Sequence, residues 1–140
     1  MEEERKQVRD LSARLVALHA VLLGYERRAY EETHGPTRAA DLLRLVVDHE
    51  QFAWLRSLSS LIARIDEALD ADESAAEANL ESFFREIYRL LRSDENAVFG
   101  EKYREALQKS PDAVMAHAEV MKILPHRPKS PGAEPRDFRR

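Results

Sequence analysis

The chain has 140 residues, a formal net charge of −4, 44% hydrophobic and 34% charged side chains, and no cysteine. A domain of this length hides roughly two-thirds of its unfolded surface and can build a core without staples, and the missing cysteine excludes disulfides, thiolate metal sites and cysteine nucleophiles. No apolar run reaches the roughly 18 residues that mark a membrane helix, and the opening MEEERKQVRD carries no apolar stretch behind a basic start, so neither a membrane span nor a secretory signal is expected.

The first segment, Glu2–His34, reads as one long helix. Val8, Leu11, Leu15, Leu18, Leu22, Tyr25 and Ala29 alternate steps of three and four, which is a heptad seam. Gly35-Pro36 ends it: glycine takes the left-handed cap and proline forbids continuation. At 1.5 Å per residue such a helix is roughly 50 Å long, against a radius of gyration of about 14 Å for a compact domain of this size. Its first turns should therefore protrude or be covered by a second chain, which makes Val8, Leu11, Leu15 and Leu18 candidate interface residues. Gly24, inside this helix, costs roughly 1 kcal/mol relative to alanine and marks either close packing or a tolerated surface position.

A short helix follows at 38–47, with Thr37 as its expected N-cap. Asp48 and Gln51 then have the spacing of a capping box, and Val47 and Phe52 that of a hydrophobic staple, so a break is expected at Asp48. The third helix, 49–69, has the widest apolar face (Trp54, Leu55, Leu58, Leu61, Ile62, Ile65, Leu69) and should be the most buried element. On it Ala53, Ser57 and Ser60 form a stripe of small side chains that admits a close neighbour, either within the chain or across a dimer seam. A turn with a second capping box, Ser74 and Glu77, leads to a fourth helix at 75–92, with a further cap at Ser93 or Asp94. The fifth helix is expected at Ala97–Lys109. Ser110-Pro111 is an N-cap followed by proline at the first helical position, opening a sixth helix at 111–124. The whole reads as an all-α antiparallel bundle of about six helices, four of them long, forming one domain over 1–124, with a flexible proline- and arginine-containing tail at 125–140.

Residues 48–70 contain FAWLRSLSSLIARIDEALD. This stretch resembles a family of small uncharacterised bacterial helical proteins with a "FAWLR-x-LS-x-LI-x-x-IDE-x-LD" core. The resemblance implies a bacterial origin and carries no functional residue with it. Arginine outnumbers lysine 17 to 5, which fits a GC-rich bacterial genome and a cytoplasmic protein.

Chemistry is thinly signalled. A di-metal carboxylate bundle needs two inward E-x-x-H motifs, and the one present, Glu31 to His34, reads as a polar helix end beside the Gly-Pro stop. His19, His49 and His117 are the candidate metal ligands, yet no two histidines share an i,i+4 face. No phosphate-binding glycine loop and no nucleophile elbow occurs, so no cofactor and no catalytic residue is assigned. Tyr25, Tyr30, Trp54 and Tyr88, with Arg56 at the mouth, could line a pocket for a small anionic ligand. The tail holds a charge of +3 against −7 for residues 1–124, and its two acids and four prolines make a poor nucleic-acid footprint. The reading favoured is a non-enzymatic bundle that self-associates or binds a protein partner. The alternative is a ligand- or metal-binding bundle using the inter-helix histidines or Arg56.

Overall fold

The computed structural model describes residues 2–71, 78–92 and 97–125. The protein is an all-α helical bundle: α1 Glu2–His34, α2 Ala39–Asp48, a 3-10 helix Glu50–Leu55, α3 Arg56–Ala71, α4 Leu80–Arg92, α5 Ala97–Lys109 and α6 Pro111–Ile123. The expected Ser74–Glu77 capping box, the cap at Ser93 or Asp94 and the tail beyond Pro125 lie outside the described residues.

α1 is the central helix. Its heptad seam is fully buried at Val8, Leu11, Leu15, Leu18 and Leu22, because α3 covers one flank and α6 the other. Both neighbours run antiparallel to it. The Ser12 hydroxyl donates to Asp66 Oδ1 at 2.6 Å near one end of α3, and Trp54 meets Glu26 near the other. Along α6, the Arg14 guanidinium donates to the Glu119 carbonyl at 2.8 Å, while Tyr25 lies beside Pro111. The long first helix thus lies among its own partners from Val8 onward, and the stretch expected as the third helix buries Phe52, Trp54, Leu55, Leu58, Leu61 and Ile65. A polar line runs beside the seam at seven-residue intervals: Arg5, Ser12, His19 and Glu26.

The remaining core is aromatic and leucine-rich. α3 buries Leu58, Leu61 and Ile65, and α4 buries Leu80, Phe83, Phe84, Ile87 and Leu91. Trp54, Phe99 and Tyr103 follow one another at ring-centroid separations of 5.3 Å. The Tyr103 hydroxyl ends this run on His117 Nδ1 at 2.6 Å. α6 opens as its sequence indicates, with the Ser110 hydroxyl accepting from the Ala113 N–H and Pro111 in the first turn.

The region around α2 departs from expectation. Gly35 does take the left-handed conformation, φ +86°, that ends α1. Thr37 does not cap α2: its hydroxyl donates to Glu31 Oε2 at 2.6 Å, and Arg38 is the N-cap without a side-chain bond. The capping box and the staple also do not form. Asp48 remains helical, the cap is the His49 ring, Gln51 turns inward to Glu26, and Val47 is 61% exposed. The third helix therefore starts as six residues of 3-10 helix, which aims both Trp54 and Gln51 at Glu26.

Candidate functional site

The Gly35-Pro36 stop reverses the chain. It brings the last turns of α1, the polar edge of α2 and the start of the 3-10 helix around an open cleft of about 490 Å³. Tyr30, His34, Thr37, Asp41, Arg44 and His49 are among its walls. Tyr30 and His34 sit one turn apart on α1, so their rings stack, 4.1 Å apart and 12° from parallel. His49 meets the same tyrosine edge-on at 5.3 Å. The two imidazoles lie 6.5 Å apart, centroid to centroid.

Backbone groups meet both rings. The Gln51 N–H donates to His49 Nδ1 at 3.0 Å, so that nitrogen is the acceptor and the proton of the neutral ring sits on Nε2. The Tyr30 carbonyl can only accept, and it lies 3.1 Å from His34 Nδ1. The Thr33 hydroxyl lies 3.0 Å from the same nitrogen. The cleft offers the His49 Nε2–H donor, the His34 imidazole, an aromatic wall and the charges of Asp41, Arg44 and Asp48. None of these three charged side chains has an ion pair among the described residues.

A clasp closes the base of the cleft. Arg27 Nη2 donates to the Thr37 carbonyl at 2.6 Å, and its Nε is shared between Glu31 Oε2 at 3.1 Å and Thr37 Oγ1 at 3.0 Å. The Thr37 N–H and hydroxyl both donate to the same Glu31 oxygen. These bonds, with the Arg27 charge behind them, hold the Glu31 carboxyl below its ordinary pKa. At the far end of α2 the Arg56 guanidinium donates to the Val47 carbonyl. The helix is thus held by hydrogen bonds at both ends, and between them Leu42, Leu45 and Val46 rest half-buried against the core.

The second notable group is Glu26, 6% exposed. Its carboxylate accepts the Trp54 indole N–H at 2.9 Å on Oε1 and the Gln51 amide at 2.7 Å on Oε2. No cation pairs with it among the described residues, so two neutral donors carry the burial of this carboxylate.

The structure separates most of the residues singled out by sequence. His19 lies mid-way along α1, its Nε2 buried and without a hydrogen-bond partner among the described residues, and burial lowers its pKa. His117 sits on α6 against Tyr103, its pKa lowered by burial and then by Arg92. His49 stands apart from both, beside His34. Among the described residues no three His, Asp or Glu side chains converge as a metal site. Tyr25, Trp54, Arg56 and Tyr88 are likewise dispersed. Tyr25 lines a polar groove of about 620 Å³ with Glu105 and Lys109, Trp54 is core, Arg56 is exposed at the end of α2, and Tyr88 is half-buried on α4. Val8, Leu11, Leu15 and Leu18 are sealed within the chain's own core, so they present no apolar area to a second chain. Ala53 and Ser57 are half-covered and Ser60 is exposed.

Sequence reasoning missed Glu26, Asp41, Arg44 and the part His34 plays. The seven-residue spacing from Ser12 through His19 to Glu26 is the signal that points to a buried glutamate. Comparison with known proteins adds no relative: no family model, no curated protein and no solved structure matches the chain.

Proposed function

We propose that this is a non-enzymatic, cytoplasmic bacterial helical-bundle protein that works by contact with protein, either a second copy of itself or another chain, and that α2 is the contact element. One observation carries the reading. α2 has no buried side chain, yet it exposes Leu43 at 69% and Val47 at 61% in line with Ala40. Val98 on α5 and the adjacent Val114 and Met115 on α6 are further exposed apolar side chains. A helix that packs one face on the core through Leu42, Leu45 and Val46 and turns a second apolar stripe to water is what a docking surface supplies. The bacterial origin rests on the arginine-rich composition and on the resemblance of residues 48–70.

The test is the double substitution Leu43→Asp, Val47→Asp, together with a photo-crosslinking side chain at position 43 and a control at the exposed Glu101. The reading expects the double variant to melt within about 0.5 kcal/mol of the parent, as for any surface change. It expects one discrete protein adduct from position 43, absent at 101 and lost when Val47 is made Asp. Unfolding of the double variant, or no adduct from position 43, would count against it.

The cleft between His34 and His49 favours a second reading, a small polar ligand bound beside Tyr30. Native mass spectrometry that finds excess mass on the parent and none on a His34→Ala, His49→Ala variant supports this reading. A parent of bare mass contradicts it.

A further inference from the structure

We infer that the occupant of the α2 face is a second copy of this chain, seated antiparallel across a two-fold axis at Leu43. The inference rests on the reading of α2 as the docking element and commits it to one partner.

Ala40, Leu43 and Val47 recur at i, i+3 and i+7, and all three are exposed. Ala39 is exposed beside them, so the stripe passes from small side chains at its start to branched ones at its end over about 12 Å of helix. In an antiparallel pair centred on Leu43, that residue meets the partner's Leu43, and Val47 stands over the small side chains at positions 39 and 40 of the second copy. The same happens in reverse, as a two-fold contact requires.

The charges select this arrangement. Arg44 flanks the stripe on one edge, with Asp41 one turn before it on that same side of the helix. Neither has an ion pair among the described residues. An antiparallel pair about a two-fold axis brings like edges together. Arg44 then faces the partner's Asp41, and Asp41 faces the partner's Arg44. A uniformly acidic or basic partner helix satisfies one of the two charges and repels the other, whereas a second copy satisfies both. The clasp at Thr37 and the Arg56 bond to Val47 fix the helix before it meets its partner, so little ordering is left to the encounter. A pair of ten-residue helices is a small contact, in the size class of weak, concentration-dependent association.

The experiment is sedimentation equilibrium on the full chain, from about 10 µM to about 1 mM, for the parent, Leu43→Asp, Arg44→Asp and the exchanged pair Asp41→Arg, Arg44→Asp. Circular dichroism checks that each variant keeps the parent's helix content. The inference expects a monomer–dimer equilibrium in the parent, loss of dimer in Leu43→Asp, at least tenfold weakening in Arg44→Asp, and recovery to within about threefold in the exchanged pair. A parent that stays monomeric throughout overturns it. So does a dimer indifferent to Leu43→Asp, or an exchanged pair no better than Arg44→Asp. If the parent is monomeric but position 43 still crosslinks to one different protein, the second copy is wrong and the docking role of α2 stands. If neither occurs, both fall.

Discussion

The Trp54 indole N–H donates to Glu26 Oε1 at 2.9 Å across 28 positions of sequence, and this bond fixes where the chain re-enters the bundle after α2. Because Gln51 grips the other carboxylate oxygen, the 3-10 helix is pinned at both its first turn and its last. The cleft and the α2 stripe inherit their positions from that anchor.

Removing the anchor should be costly. Glu26→Ala leaves the buried indole N–H without an acceptor, at about 1–3 kcal/mol, and leaves the half-buried Gln51 amide only the Glu26 carbonyl at 3.5 Å. We expect a loss of about 2–4 kcal/mol in denaturant unfolding and a changed Trp54 emission. Trp54→Phe combined with Glu26→Gln should cost less than the sum of the two single changes, since each removes the same bond. Strict additivity would mean that the bond carries no coupling.

The clasp makes a local prediction. Thr37→Val removes the hydroxyl that Glu31 and Arg27 share, while the packed core is untouched. Hydrogen exchange should quicken across Ala39–Asp48 and leave α1 from Val8 to Leu22 unchanged. Equal acceleration in both would show that α2 opens only with the whole bundle.

The two glycines of the first helix region should respond in opposite directions. A Cβ at Gly24 meets only the Arg28 guanidinium, at 3.7 Å, so Gly24→Ala should raise stability by up to about 1 kcal/mol. Gly35 has φ +86°, where a side chain is strained, so Gly35→Ala should lower stability by about 1 kcal/mol. Thermal melts of the two variants decide the matter.

His19 and His117 are both held below the ordinary histidine pKa of 6.5, chiefly by burial. The unfolded chain therefore takes up protons before the folded one as pH falls through about 6.5. Their stabilising contribution is complete above that pH and is lost as the medium is acidified toward their folded values. For Glu31 and Glu119, both held below 4.5, the loss comes later, as pH falls below about 4.5. Urea unfolding from pH 7.5 to pH 5 should show declining stability in the parent. The decline should be shallower in a His19→Leu, His117→Leu variant, whatever its absolute stability. An unchanged slope would assign the decline to other groups.

The local patterns that carried the fold are those whose partners lie within a few residues. The Gly35 stop and the Ser110-Pro111 start depend on neighbours in sequence, and each stands in the structure; the α1 seam from Val8 to Leu22 stands too, covered by α3 and α6. The Asp48–Gln51 box failed because the Gln51 amide has a long-range competitor, the Glu26 carboxylate 25 residues away. The Thr37 cap failed to a nearer competitor, its hydroxyl being drawn to Glu31 six residues back. Glu26 itself sits in Tyr-Glu-Arg-Arg, a context that reads as solvated charge, and only the fold brings Trp54 to it. The apolar residues of α2 show no sign in sequence that half of them stay in water. Periodicity reports amphipathic order, not which faces of a helix find a neighbour.

The central claim, that the outer face of α2 is a contact surface, is tested most directly by hydrogen exchange across the full chain at two concentrations, about 10 µM and about 1 mM. The account predicts that Ala39–Asp48 gains protection at the higher concentration while α6, including the exposed Met115, does not. Identical exchange of α2 at both concentrations, or protection gained at Met115 instead, would contradict it.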